Sequence, residues 1–187
     1  MWEPWTGSGY DTRRLLILGE SCYAWEEDGQ VKEPQPDHPV VMAQYAMEAF
    51  PRSQRFLDMV SRGVCGKYAP SLAEVTAAWE SIAFTNYVPV SVGIGPRERP
   101  LPKAWKQADD EWQLVLAKLK PRNIIVLGRG MWGYMPETQV IVSKSVQGYR
   151  LSDGTVAMCR ATWHPAGGQS WSTLAAEIVT AEQPREN

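Results

Sequence analysis

Leu15-Leu16-Ile17-Leu18 is a run of four apolar residues that stops at Gly19 and turns polar at Glu20-Ser21-Cys22-Tyr23. Apolar residues at consecutive positions, without alternation, are the pattern of a strand buried on both faces. Such strands occur where helices cover both sides of a parallel sheet. The glycine allows a sharp exit, and the polar residues after it fall at the carboxyl end of the strand, where open α/β sheets bind ligands. Three other stretches repeat the arrangement. Ile82 to Thr85 leads into Asn86, Ile124 to Leu127 leads into Gly128-Arg129-Gly130, and Val156 to Thr162 leads into Trp163-His164-Pro165.

Helical patterns separate these strands. Pro39 opens one, with Val40, Val41, Ala43, Tyr45, Met47 and Phe50 as its apolar positions. A second spans about Ser53 to Arg62. A third starts at Ser71, with Glu74 placed for a capping box. Trp105, Ala108, Trp112, Val115, Leu116 and Leu119 mark a fourth over Ala104–Leu119, and a last one runs from Ser170 to Ala181. Gly148 to Thr162 reads as a hairpin around Ser152-Asp153-Gly154, and Val140 to Val142 as a short strand or loop. Residues 1–12 read as an arm without periodicity, Arg13–Leu18 as the first strand, Glu20–His38 and Pro89–Lys103 as long loops, and 182–187 as a frayed tail. The expected fold is a single three-layer α/β/α sandwich with a mostly parallel central sheet over residues 1–187.

The length of 187 residues suits one domain with a full core, and 44% hydrophobic with 21% charged residues is ordinary for a globular chain. No apolar run reaches membrane-spanning length and no signal-peptide pattern opens the chain, so the expected location is the cytoplasm. Cys22, Cys65 and Cys159 are far apart and form no CxxC, so neither a zinc nor an iron–sulfur site is expected, and no other metal or cofactor. A net charge of -2 gives no global attraction to nucleic acid; a DNA-binding role would need a local basic face. Arg97, Arg99, Lys103 and Lys106 are the best such group, although a charged run is commonly just a solvated face.

Taken in order, these pieces resemble the uracil-DNA glycosylase superfamily. Its first motif is a glycine-led turn after strand one, Gly-Gln-Asp-Pro-Tyr or Gly-Glu-Ala-Pro-Gly in different branches. Here it is Gly19-Glu20-Ser21-Cys22-Tyr23, followed by the acids Glu26-Glu27-Asp28. The family's second strand ends in an asparagine, matched by Thr85-Asn86-Tyr87-Val88. A proline, a buried strand and a glycine follow, matched by Pro121 and Ile124–Gly128. The last motif begins His-Pro-Ser or His-Pro-Ala and is matched by His164-Pro165-Ala166. The chain departs from the family at Ser21, where one branch has its catalytic aspartate. It departs again at Gly167-Gly168-Gln169, where the family often carries a leucine that wedges into the duplex.

The resemblance implies a monofunctional DNA base glycosylase, a monomer that flips out and hydrolyses off a pyrimidine. The base is uracil or a bulky modified base of the hydroxymethylcytosine type, in DNA repair or anti-phage defence. Asn86 then reads the base, because an amide offers a donor and an acceptor side by side. Its plainer reading is a strand-end turn. His164 donates to the pyrimidine as negative charge builds on it. Ser21 cannot act as a base unaided, so Glu20 is the first choice to orient water. Tyr23 and Trp25 are candidate walls of the base pocket, or simply core. Arg97, Arg99, Lys103, Arg129, Gly167, Gly168 and Gln169 are the candidate DNA contacts, the amides of Gly128-Arg129-Gly130 suiting a phosphate if a helix opens there. No lysine lies in the matched motifs, so no strand cleavage is expected. The alternatives are a hydrolase of free nucleosides or nucleotides, and a catalytically inactive DNA-binding module.

Overall fold

The structure, a computed structural model, describes all residues except 96–97, 139, 168–169 and 184–187. Arg97, Gly168, Gln169 and the end of the expected tail therefore lie outside the described residues. The elements are β1 (Trp5–Thr6), α1 (Tyr10–Arg13), β2 (Leu15–Gly19), β3 (Trp25–Glu27), β4 (Gln30–Lys32), α2 (His38–Ala49), α3 (Arg55–Cys65), α4 (Leu72–Glu80) and β5 (Ile82–Asn86). They continue with α5 (Pro102–Leu119), β6 (Asn123–Leu127), α6 (Arg129–Trp132), β7 (Val140–Ser143), β8 (Val146–Arg150), β9 (Val156–Thr162), a 3-10 turn at Pro165–Gly167 and α7 (Trp171–Glu182).

Among the described residues, seven strands form one mixed sheet in the order β1-β5-β2-β6-β9-β8-β7. Its centre, β5-β2-β6-β9, is parallel, and β1, β8 and β7 add antiparallel edges. The parallel strands β2, β5 and β6 are buried at every position, which is why they read as continuous apolar runs. Their residues sort alternately onto two cores. Leu15, Ile17, Ile82, Phe84, Ile125 and Leu127 face α2, α3, α4 and α7. Leu16, Leu18, Ala83, Ile124 and Val126 face α5 and Met131 of α6. Helices thus cover both faces, and the expected three-layer α/β/α arrangement is observed. Among the described residues no helix is long and apolar enough to cross a membrane.

Local signals set several boundaries. Ser71 caps α4, accepting from the Glu74 amide at 3.3 Å, while Glu74 Oε2 accepts from the Ser71 amide at 2.9 Å. Lys120, in the left-handed region, ends α5 just before Pro121. The Asp153-Gly154 turn joins β8 to β9 as expected.

Four expectations need correction. Residues 1–12 are not a free arm. Trp5–Thr6 pairs with Phe84 and Ala83 as the sheet edge, and Trp2 and Tyr10 are buried. The Tyr10 hydroxyl donates to Leu119 O at 3.1 Å. A two-residue strand carries no periodicity to read; only the neighbouring strand defines it. The first strand starts at Leu15 rather than Arg13, because Arg13 ends α1 and Arg14 takes the left-handed conformation that turns the chain into the sheet. Glu20–His38 is not structureless either: β3 and β4 form a hairpin. Its turn is Asp28-Gly29, both residues at positive φ, which is the two-residue turn that matches strand twist. Finally, Glu182 belongs to α7 and pairs with Arg13 Nε at 2.6 Å, so it is not part of a frayed tail.

Candidate functional site

The parallel strands all end on one side of the sheet, and the chain reverses its strand order between β2 and β6. The residues just past their carboxyl ends therefore gather at one edge, the place where open α/β sheets bind ligands. Gly19-Glu20 leaves β2, Asn86 ends β5, Gly128 follows β6, and Trp163-His164 follows β9. The loops leaving β2 and β5 are zipped together by backbone bonds. The Tyr87 amide donates to Gly19 O and the Val88 amide to Glu20 O, both at 2.9 Å. The Val92 amide donates to Cys22 O at 3.0 Å, and the Ala24 amide to Gly93 O at 2.8 Å. Residues 19–24 are therefore a fixed ledge beside Asn86.

Asn86 is 8% exposed, and among the described residues its side-chain amide meets no hydrogen-bond partner. Unlike Thr85 Oγ1 and Trp112 Nε1, which are sealed from solvent without a partner, the Asn86 amide still reaches solvent and can exchange a water for a ligand. Its carboxamide lies directly over Gly19, where a Cβ would overlap Asn86 Oδ1. The glycine is required here by close approach.

His164 is half-buried. Burial pushes its pKa below the usual histidine value, while nearby Glu20 pulls it up and Arg99 pushes it down. The environment thus favours the neutral imidazole, which carries one N–H. Glu20 accepts two bonds from Arg99 Nη1, at 2.8 and 3.0 Å, and its side chain is 13% exposed against 71% for Arg99. Glu98 accepts from the Ile94 and Gly95 amides at 3.2 Å each, shaping the loop that carries Arg99. Arg99 is therefore engaged with Glu20.

Phe56, in the first turn of α3, completes the cluster. Its ring stacks on His164 at 5.5 Å between centroids and 27° between planes, and lies 6.3 Å from Phe84. Sequence reasoning missed it, because within α3 it is one apolar residue among Leu57, Val60 and Val64. A planar ligand held between Phe56 and His164 would need their rings roughly 7 Å apart, two van der Waals contacts of about 3.5 Å each. Binding there requires the two rings to part.

The other candidates are placed differently. Ser21 is half-buried on the ledge. Tyr23 and Trp25 are 39% and 46% exposed, and among the described residues neither ring meets another ring or a cation. Glu26 and Glu27 sit with Trp25 on the exposed strand β3, and Asp28 in its turn. Lys103 is exposed in the first turn of α5. Arg129 and Gly130 are exposed in the single turn of α6, and Gly167 donates its amide to His164 O at 2.8 Å. Among the described residues no three His, Cys, Asp or Glu side chains gather as a metal site.

The structure thus brings together Gly19, Glu20, Asn86, Arg99, His164 and Phe56. This set can read a planar hydrogen-bonding edge, donate to a developing anion, and present a carboxylate beside both. The chain is an α/β sandwich with a polar and aromatic cluster at its sheet's carboxyl edge. No protein-family model matches it, and no curated protein matches its sequence.

Proposed function

We propose that the chain is a monofunctional DNA base glycosylase with the uracil-DNA glycosylase arrangement, which excises a pyrimidine and leaves an abasic site. The observation that carries this reading is the Asn86 amide, which meets no side-chain hydrogen-bond partner among the described residues and lies against Gly19 at the edge where His164 also stands. The parallel order β5-β2-β6-β9 supports it, since it puts the three resembling motifs side by side at one edge.

In this reading the target nucleotide leaves the stack and its base displaces Phe56 from His164, with the Phe56 ring against the base. Asn86 pairs with the pyrimidine edge. As the C1′–N bond breaks, its electron pair goes to the base, and the neutral His164 N–H donates to the oxygen where that charge collects. Water adds to C1′ and its proton goes into solution or onto the departing base. Glu20 stabilises the cationic sugar and orients that water. Its salt bridge to Arg99 fixes the carboxylate rather than removing it.

The test is mass spectrometry of bases released from single- and double-stranded DNAs carrying uracil or modified cytosines, with wild type and Asn86→Ala. Release of a pyrimidine by wild type and its loss in Asn86→Ala is the expected result. Turnover of free deoxynucleosides alone would make the protein a nucleoside hydrolase. DNA binding without release of any base would make it a binding module.

A further inference from the structure

We propose that Trp163 and Arg129 form a nucleotide subsite beside His164, which holds the DNA residue flanking the excised one. The proposal rests on the glycosylase reading and extends it to the duplex or strand around the target. The flanking base stacks on the indole of Trp163, and the adjoining phosphate pairs with the Arg129 guanidinium.

The backbone explains why the two residues meet. Strands β6 and β9 are parallel neighbours with Leu127 in register with Thr162. The residues just past their ends leave the sheet side by side, one strand spacing of roughly 4.8 Å apart. Arg129 Cζ sits 4.2 Å over the Trp163 ring, inside cation–π range. The contact holds the indole in one orientation and covers part of one face, while Trp163 remains 55% exposed. Trp2, Trp79, Trp105 and Trp112 are all buried by contrast. An exposed, pre-oriented indole gains area only by stacking a further flat group.

The charge points to the same ligand. Among the described residues Arg129 pairs with no carboxylate, so its guanidinium is available to an anion. A flat ring next to a free cation matches one nucleotide, base and phosphate together, better than an aliphatic or an anionic peptide segment. The place is equally specific. Trp163 immediately precedes His164, and a Cβ on Gly128, the residue before Arg129, would lie 3.9 Å from the His164 ring. A nucleotide on this pair therefore adjoins the one whose base reaches His164.

The experiment is fluorescence anisotropy of a labelled single-stranded oligonucleotide and of a duplex holding a tetrahydrofuran abasic analogue. The proteins are wild type, Trp163→Ala, Trp163→Phe, Trp163→Leu and Arg129→Gln. Stacking predicts about tenfold weaker binding for Trp163→Ala, with Trp163→Phe close to wild type and Trp163→Leu close to alanine. Arg129→Gln is expected to lower the slope of log affinity against log salt by about one. Wild-type affinity in Trp163→Ala, or leucine as good as phenylalanine, would overturn the subsite. Base release by the wild-type protein is measured in parallel. Release with unaltered binding in Trp163→Ala sinks this inference alone, whereas weakened binding with no release by wild type sinks the glycosylase reading and leaves the subsite standing.

Discussion

Gly19→Ala is the sharpest perturbation of the candidate site, because it adds one methyl group where the structure has no space. Gly19 is fully buried in β2 with an unstrained backbone, so alanine does not oppose its conformation. The new Cβ instead falls on Asn86 Oδ1, with Phe56 Cζ 3.7 Å away. A carbon and an oxygen need a little over 3 Å, so the carboxamide must retreat by on the order of 1 Å. A displacement of that size in a positioning group costs roughly 100-fold in rate. Overpacking a core position costs about 1–3 kcal/mol of stability, within the 5–15 kcal/mol reserve of an ordinary domain. Folded protein with little activity is the expected result. The assay is single-turnover base release at saturating DNA, with thermal unfolding in parallel. Gly19→Ala and Asn86→Ala act on the same amide, so the double variant should be no slower than the slower single one. A Gly19→Ala protein within threefold of the wild-type rate would refute the claim that this glycine exists to seat Asn86. Losses that multiply in the double variant would show that the two residues act independently.

Acid should weaken the fold through both histidines. Burial lowers the pKa of His38 and of His164 below the unfolded value of 6.5. The unfolded chain therefore takes up protons that the folded chain refuses. Stability holds above about pH 6.5 and falls as pH drops from there toward the folded pKa values; unfolding of wild type, His38→Gln and His164→Gln at pH 7.5 and 5.5 should show a smaller acid loss in each variant. Ser61→Ala removes the acceptor of the Trp79 indole N–H, a 2.9 Å bond between two fully buried side chains. The orphaned donor should lower stability by about 1–3 kcal/mol in denaturant titration. Ser71→Ala opens the α4 capping box and should cost about 1 kcal/mol, a fall of roughly 2–4 °C in Tm for a chain of this length.

The parts of this protein that the sequence specified by itself are those whose signal is local. Leu15–Leu18 and Ile124–Leu127 had to be strands buried on both faces, because four consecutive apolar residues leave no face for water, and Ile82–Phe84 ahead of Thr85 reads the same way over three. The same runs located Gly19-Glu20, Asn86 and Gly128 at strand ends, and hence at a shared edge once the strands were parallel. The Ser71–Glu74 cap and the Asp153-Gly154 turn were equally readable. Asp28-Gly29 carried the same turn signal, and giving it equal weight would have found the β3–β4 hairpin. Tertiary structure decided the rest. Trp5–Thr6 is a strand only because β5 offers an unpaired edge. The Glu20–Arg99 pair joins residues 79 positions apart, and charge patterning along the chain cannot select one arginine from that loop. Phe56 reaches His164 because α3 packs against the 3-10 turn at Pro165–Gly167 that follows the histidine. Its helix supplies only an apolar position, and the packing alone turns that position into the ring against the histidine.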